Sequence, residues 1–260
     1  MNIGAIRTAA LAAIMTMPAA GAAAQQLGFE IEYVVTVRSF TVAKATFDGR
    51  ISGDRFEVDG TLRSAGVARI FDRTEAKSRS VGTLATGTPQ PESFLLSYVQ
   101  GSSPGTQLEI AFQDGTVANV THEPAFDPTG DDVVPLQKSD LQAVTDPISA
   151  TIVARGAPDD ICRRTLRIYE GGTRVDVQLS PSSVGWVYGA GNGAVTCSAQ
   201  FIPVAGYIKS ETYDYMRQHA NMEFVYVPTH RQNIYTLHTI TTQTDIGQVK
   251  LRAWRTRIDG

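Results

Sequence analysis

Five consecutive residues, Gly101-Ser102-Ser103-Pro104-Gly105, spell G-x-S-x-G. In an α/β-hydrolase that pattern presents a nucleophilic serine on a tight turn between a strand and a helix. Here Thr106 to Phe112 alternates like a strand, and Gly, Ser and Pro are what a hairpin loop needs, so the segment reads as a loop. Gly189-Ala190-Gly191-Asn192-Gly193 starts like a phosphate-cradling G-x-G-x-x-G, but the third glycine would fall at Ala194 and strand-like residues 195–201 follow. A turn with Asn192-Gly193 at its tip fits better. The histidines His122, His219, His230 and His238 lack the i, i+4 pair with an intervening acid that builds a helical zinc site. His122-Glu123 runs into Pro124, and His230 and His238, eight apart, share a face only if one unbroken strand holds both. Asp127, Asp131 and Asp132, beside Pro128 and Gly130, offer oxygen ligands without EF-hand spacing and read as a solvated turn. Nothing positively supports a carboxylate pair for glycoside hydrolysis. No catalytic residue, metal or cofactor is expected.

Two groups remain. Cys162 and Cys197 are 35 positions apart, do not form CxxC, and lack the two further ligands of a zinc site. In an exported chain a structural disulfide is favoured, stabilising the fold by roughly 3–4 kcal/mol on the chain-entropy model. The aromatics Tyr207, Tyr213, Tyr215, Phe224, Tyr226 and Tyr235 could line a ligand cavity, together with Ile148 and Ile152. Ordinary strand packing explains them as well and is preferred, because aromatics are enriched in strands.

Period-two patterns supply the elements that position these residues. Phe29, Ile31, Tyr33 and Val35 alternate with Glu30, Glu32 and Val34. Val42 to Phe47 and Arg55 to Leu62 flank Asp48-Gly49, a dipeptide that favours a hairpin turn. Further strands are expected at Ser93 to Val99, Gln107 to Phe112, Val117 to Val120, Leu166 to Tyr169, Thr173 to Leu179, Asn233 to Thr242 and Gln248 to Trp254. Turns at Gln113-Asp114-Gly115, Gly171-Gly172 and Asp245-Ile246-Gly247 join several of them. The rhythm breaks at residues 136–155. Asp146-Pro147 is a helix start, Ile148, Ile152 and Val153 recur at helical spacing, and Gly156 ends the run. A second, weaker helix candidate lies around Ser64 to Phe71.

The chain opens with one basic residue, Arg7, before an apolar stretch from Ala9 to Met17, Pro18, and small residues to Ala24. That is a secretory signal peptide, with cleavage expected after Ala24. The apolar run is shorter than the roughly 20 residues of a membrane-spanning helix. The remaining 236 residues (260 − 24) suit one large β domain. Without Arg7, 22 basic residues face 26 acidic ones, and the densest basic run, Arg252 to Arg257, is interleaved with Leu251, Ala253 and Trp254. Nucleic acid is not an expected partner.

The order of these features resembles a known family. The residues that carry the likeness are Ser64-Ala65-Gly66-Val67, Asp146-Pro147-Ile148-Ser149-Ala150, Tyr169-Glu170-Gly171-Gly172, Gly193-Ala194-Val195-Thr196-Cys197, Pro203-Val204-Ala205-Gly206-Tyr207 and Val227-Pro228. They are similar to the proteobacterial exported family of domain of unknown function number 3108, over about residues 27–255. The family's first hairpin has a glycine-rich turn, where this chain has Arg38-Ser39-Phe40. The resemblance implies a periplasmic address and a Cys162–Cys197 disulfide, and brings no catalytic residues. A looser, fold-level likeness is to periplasmic lipoprotein carriers and β-spiral envelope proteins.

The expected fold is mainly β: a single large curled antiparallel sheet, an open or spiral β-barrel, with one amphipathic helix from Asp146 to Arg155 packed on or in it. The expected function is that of a non-enzymatic periplasmic cell-envelope protein. Its concave apolar face would hold a lipid-like or lipoprotein-derived ligand, or a segment of an envelope protein. A structural or protein-interaction module with a self-filled core is the competing reading, and a hydrolase a more distant one.

Overall fold

The structure is a computed structural model that describes residues 26–71, 73–86, 88–125, 130, 132–219, 221–230 and 233–259. The signal segment 1–24 and the acidic residues Asp127 and Asp131 lie outside the described residues.

Seven strands come first: β1 (Gln26–Val37), β2 (Phe40–Ser52), β3 (Arg55–Ser64), β4 (Thr74–Thr86), β5 (Thr88–Gln100), β6 (Thr106–Gln113) and β7 (Thr116–Glu123), with a short helix α1 (Ala68–Phe71) between β3 and β4. A compact insertion follows, made of α2 (Pro147–Thr151), β8 (Val153–Arg155) and α3 (Pro158–Ile161). The second series is β9 (Thr165–Tyr169), β10 (Arg174–Val187), β11 (Gly191–Ala205), β12 (Met222–Pro228), β13 (Ile234–Thr244) and β14 (Gly247–Asp259), with α4 (Glu211–His219) between β11 and β12. All fourteen strands belong to one sheet, thirteen of them ordered β7-β6-β5-β4-β3-β2-β1-β14-β13-β12-β11-β10-β9, with β8 off this path and paired to β13. It is thus two antiparallel meanders joined where β1 pairs with β14. Short turns make each meander the cheapest antiparallel connection.

The sheet forks at β13. Its residues Thr239 to Thr244 pair with β14, while Ile234 to Thr236 pair with β8. The insertion therefore enters the curl, and α2 packs against β4, β5, β8 and β9. Alternate residues Leu27, Phe29, Ile31 and Tyr33 of β1 point into the same interior and are almost fully buried, as are Ile51, Phe56, Val58, Phe94, Ile110, Leu166, Phe224 and Tyr226. Each such side chain contributes about 1.5–3 kcal/mol by leaving water. Among the described residues these form one continuous core with Ile148, Ile152, Val153 and Ile161 of the insertion. These side chains pack along the inner face, and an open cavity of about 740 Å³ lies beside them, lined by Val120, His122, Leu136, Tyr169 and Gly171.

The sheet does not close, but its edges meet through other groups. Thr145 makes a parallel bridge with Ile168 of β9, and the Val144 amide donates to the Gly115 carbonyl (2.9 Å) in the turn between β6 and β7. Leu108 and the His122 ring occupy the space that a Cβ on Gly171 would need, 2.6–2.9 Å away.

Three expectations change. Asp48-Gly49 is not a turn: β2 continues to Ser52, and Gly49 lies under the Phe29 ring, whose Cζ would sit 1.9 Å from any added Cβ. The dipeptide serves close packing rather than chain reversal, which falls at residues 53–54. The helix expected from Asp146 to Arg155 stops at Thr151, because residues 153–155 gain a strand partner in β13 that a helix would forgo. The aromatics Tyr213 and Tyr215 sit on α4, a helix the alternation does not suggest. The Arg38-Ser39 turn reverses the chain with both residues at positive φ (47° and 73°), the conformation for which glycine is usual.

Candidate binding cleft

Cys162 and Cys197 form a disulfide, S–S 1.98 Å and Cα–Cα 5.3 Å, in the core where α3 meets β11. The residues considered as cavity lining fall into two groups. Ile148, Ile152, Phe224 and Tyr226 are core residues, with the Arg164 guanidinium 5.7 Å above the Tyr226 ring. Tyr207 stacks on Tyr213 at 4.6 Å, and Tyr215 stacks on His219 at 4.7 Å, in a half-buried layer at α4. The structure brings neither group to the cleft described below. Ser103 lies on the exposed turn between β5 and β6, its amide donating to the Gln100 carbonyl (3.0 Å). Among the described residues no three His, Cys, Asp or Glu side chains converge as a metal site.

A buried polar cluster anchors the insertion. Asp146 caps α2 as expected, its Oδ1 accepting from the Ile148 and Ser149 amides at 2.9 Å each. Its Oδ2 lies 2.9 Å from Ser80 Oγ and 2.5 Å from Ser149 Oγ, and the two hydroxyls are 2.7 Å apart. Burial raises the carboxyl's pKa against the opposing pull of the hydrogen bonds from Ser149, Ser80 and Ile148. Ser149 is 4 % exposed and Ser80 fully covered, so neither hydroxyl can reach a substrate. Burial lowers the pKa of His238, helped by the charges of Arg252 and Lys250.

The open surface is on the other side of the sheet. Arg252, Val34, Lys44, Arg63, Glu75 and Val99 stand directly opposite one another across β14, β1, β2, β3, β4 and β5. They alternate with Tyr33, Ala45 and Leu62, which pack in the core, so the pleat turns them outward. A neighbouring row adds Glu32, Thr46, Thr61 and Lys77. With the 66 % exposed Trp254, these residues line an open cleft of about 940 Å³, whose lining also takes in Tyr33, Ala45, Leu62, Ala76 and Tyr98 of the alternate row. Where β2 and β3 meet α1, it adjoins a pocket of about 460 Å³ lined by Lys44, Arg63, Arg69, Arg73, Ser64 and Glu75. The cluster of basic residues is not a sequence motif, because its members come from β2, β3, α1 and the loop before β4. The alternation of Val34, Lys44, Arg63 and Lys77 with core residues was the available signal.

Charge is organised differently along this face. Toward one end, Arg257 pairs with Glu30, Arg255 with Glu32 (3.2 Å), Arg79 with Glu57 and with Asp59 (3.1 Å), and Arg55 with Glu92 (2.8 Å). Toward the other, Lys44, Arg63, Arg69, Arg73, Lys77 and Arg252 form no ion pair among the described residues.

The family model described as "Protein of unknown function (DUF3108)" matches residues 32–253. No curated protein matches the sequence. Among solved structures, the fold is similar to the crystal structure of a beta-barrel-like protein of domain of unknown function DUF1849 from Brucella abortus. The two share 8 % identity and a TM-score of 0.51, over 90 % of this chain and 98 % of that one. At that identity the likeness is one of fold alone.

Proposed function

The chain belongs to the DUF3108 family, and from that premise we propose that it is a non-enzymatic periplasmic protein of the cell envelope that binds a lipid-like ligand on the outside of its sheet. The observation that carries this reading is where space is available. Core side chains pack along the inner face, whereas the cleft beneath Trp254, Val34 and Val99 is open and partly apolar. Ligand sites combine such apolar walls with a few polar groups that fix orientation. The disulfide suits an oxidising compartment, and no helix among the described residues is long and apolar enough to cross a membrane. Native mass spectrometry of protein purified from periplasm tests the proposal. A co-purifying mass that is released as a lipid on denaturation supports it, and a bare protein mass counts against it.

One observation favours the second reading, a protein-interaction module. The β10–β11 hairpin carries no charged residue from Val177 to Gln200, and it exposes Val184 (52 %), Trp186 (66 %) and Tyr188 (80 %). Aromatic, charge-poor surfaces are common at the centres of protein interfaces. A protein co-purifying with the wild type but not with Trp186→Ser would move the assignment there.

A further inference from the structure

We propose that Lys44, Arg63, Arg69 and Arg73 form a binding site for the phosphate group of an anionic lipid, whose apolar part lies against Trp254, Val34 and Val99. This rests on the reading of the cleft as the ligand surface, and it names the ligand's chemistry. Four observations converge on it. First, Lys44 and Arg63 are directly opposite on β2 and β3. Like charges at opposed positions destabilise a sheet, and Glu75 opposite Arg63 offsets only one of the two cations.

Second, the local chain is built to add two more cations. Gly66 turns at φ +56° with the Thr41 carbonyl oxygen 2.3 Å from where a Cβ would stand, and Ser64 Oγ accepts from the Thr74 amide at 2.9 Å. Together they fold α1 back beside the ends of β2 and β3, so Arg69 and Arg73 line the same pocket as Lys44 and Arg63. Third, Glu75 is the one carboxylate lining that pocket among the described residues, in a chain of net charge −3. The cluster is therefore not a reflection of overall composition. Three of its four cations are arginines, whose planar donor forks match phosphate oxygens. Fourth, Lys44, Arg63 and Glu75 line both the pocket and the larger cleft, so a head group in one is continuous with a chain along the other.

The test uses the mature full chain carrying Trp186→Phe, which leaves Trp254 as the sole tryptophan reporter. Dihexanoyl phosphatidic acid, kept below its micelle concentration, is titrated by calorimetry and by Trp254 emission. Saturable binding with a shift in emission is expected. It should weaken by about tenfold or more in Arg63→Ser/Arg69→Ser, and independently in Lys44→Glu. It should also weaken as salt rises from about 0.05 M to about 0.5 M, where screening shortens to a few ångströms. These side chains are exposed, so unchanged thermal melting of both variants is the control for folding. Three outcomes overturn the proposal. Inorganic phosphate that binds as tightly as the lipid assigns the pocket to the free anion. Dihexanoyl phosphatidylcholine that binds equally well, with no loss in the variants, removes the anion site but keeps the cleft. No response to either lipid removes both the site and the cleft reading.

Discussion

Replacing Asp146 probes how the insertion is held inside the curl. Three oxygens, Asp146 Oδ2, Ser80 Oγ and Ser149 Oγ, lie within 2.9 Å of one another. Two serine hydroxyls supply two protons for three contacts, and a protonated carboxyl supplies the third, so the network is complete when Asp146 is neutral. Asp146→Ala leaves the two serines bonded to each other but strips the Ile148 and Ser149 amides of their acceptor. At about 1–3 kcal/mol for each buried donor left unsatisfied, partly relieved by fraying of α2, the cost is about 3 kcal/mol. That is about 6–12 °C in melting temperature for a domain of this size. Asp146→Asn keeps Oδ1 for both amides and offers an N–H₂ to the serines, so it should cost less than about 1 kcal/mol. The pH dependence carries the sign. A folded-state pKa raised above that of a free carboxyl gives stability that is fully present below the free value and lost as pH rises through the folded one. Urea midpoints of wild type and Asp146→Asn, measured from acid to neutral pH, should therefore move in favour of the Asn variant as pH rises. An Asn variant as unstable as Ala, or a difference flat with pH, would refute the neutral network.

Cys162→Ser should lower stability by about 4 kcal/mol in oxidising buffer, from opening a 35-residue loop; in reductant, variant and wild type should unfold at the same urea concentration. Gly49→Ala should cost about 1–3 kcal/mol, because the new methyl overlaps the Phe29 ring. The penalty should shrink in a Phe29→Ala background, and a double-mutant cycle without coupling would sink that account. Ser39→Gly should raise stability by about 1 kcal/mol, since Ser39 sits at φ 73°; an unchanged melting temperature would mean the turn carries no strain.

Alternation made much of the sheet legible before any coordinates. The strands around Phe29 to Val35, Gln107 to Phe112 and Gln248 to Trp254, the Asp114-Gly115 and Gly171-Gly172 turns, and the Asp146 cap all lie where the pattern puts them. β4 left no apolar trace because its inward positions are Ala76, Ser78, Ser80, Gly82 and Leu84. Small and polar residues there let α2 approach and give Asp146 its partner. The helix α4 has a signal in Ser210 ahead of Glu211, with Arg217 and His219 at its other end, but the tyrosines between are of a type enriched in strands. Local spacing thus determined the strands, the capping residue, the cysteine pair and the β class, because each depends on neighbours a few positions away or on a residue type. Tertiary structure alone decided three things: that β1 and β14 join the two meanders, that core side chains pack along the inner face, and that Lys44, Arg63, Arg69 and Arg73 converge on one pocket. Those depend on which strands lie side by side and how the sheet coils, and a pleat read one strand at a time carries no record of its neighbours.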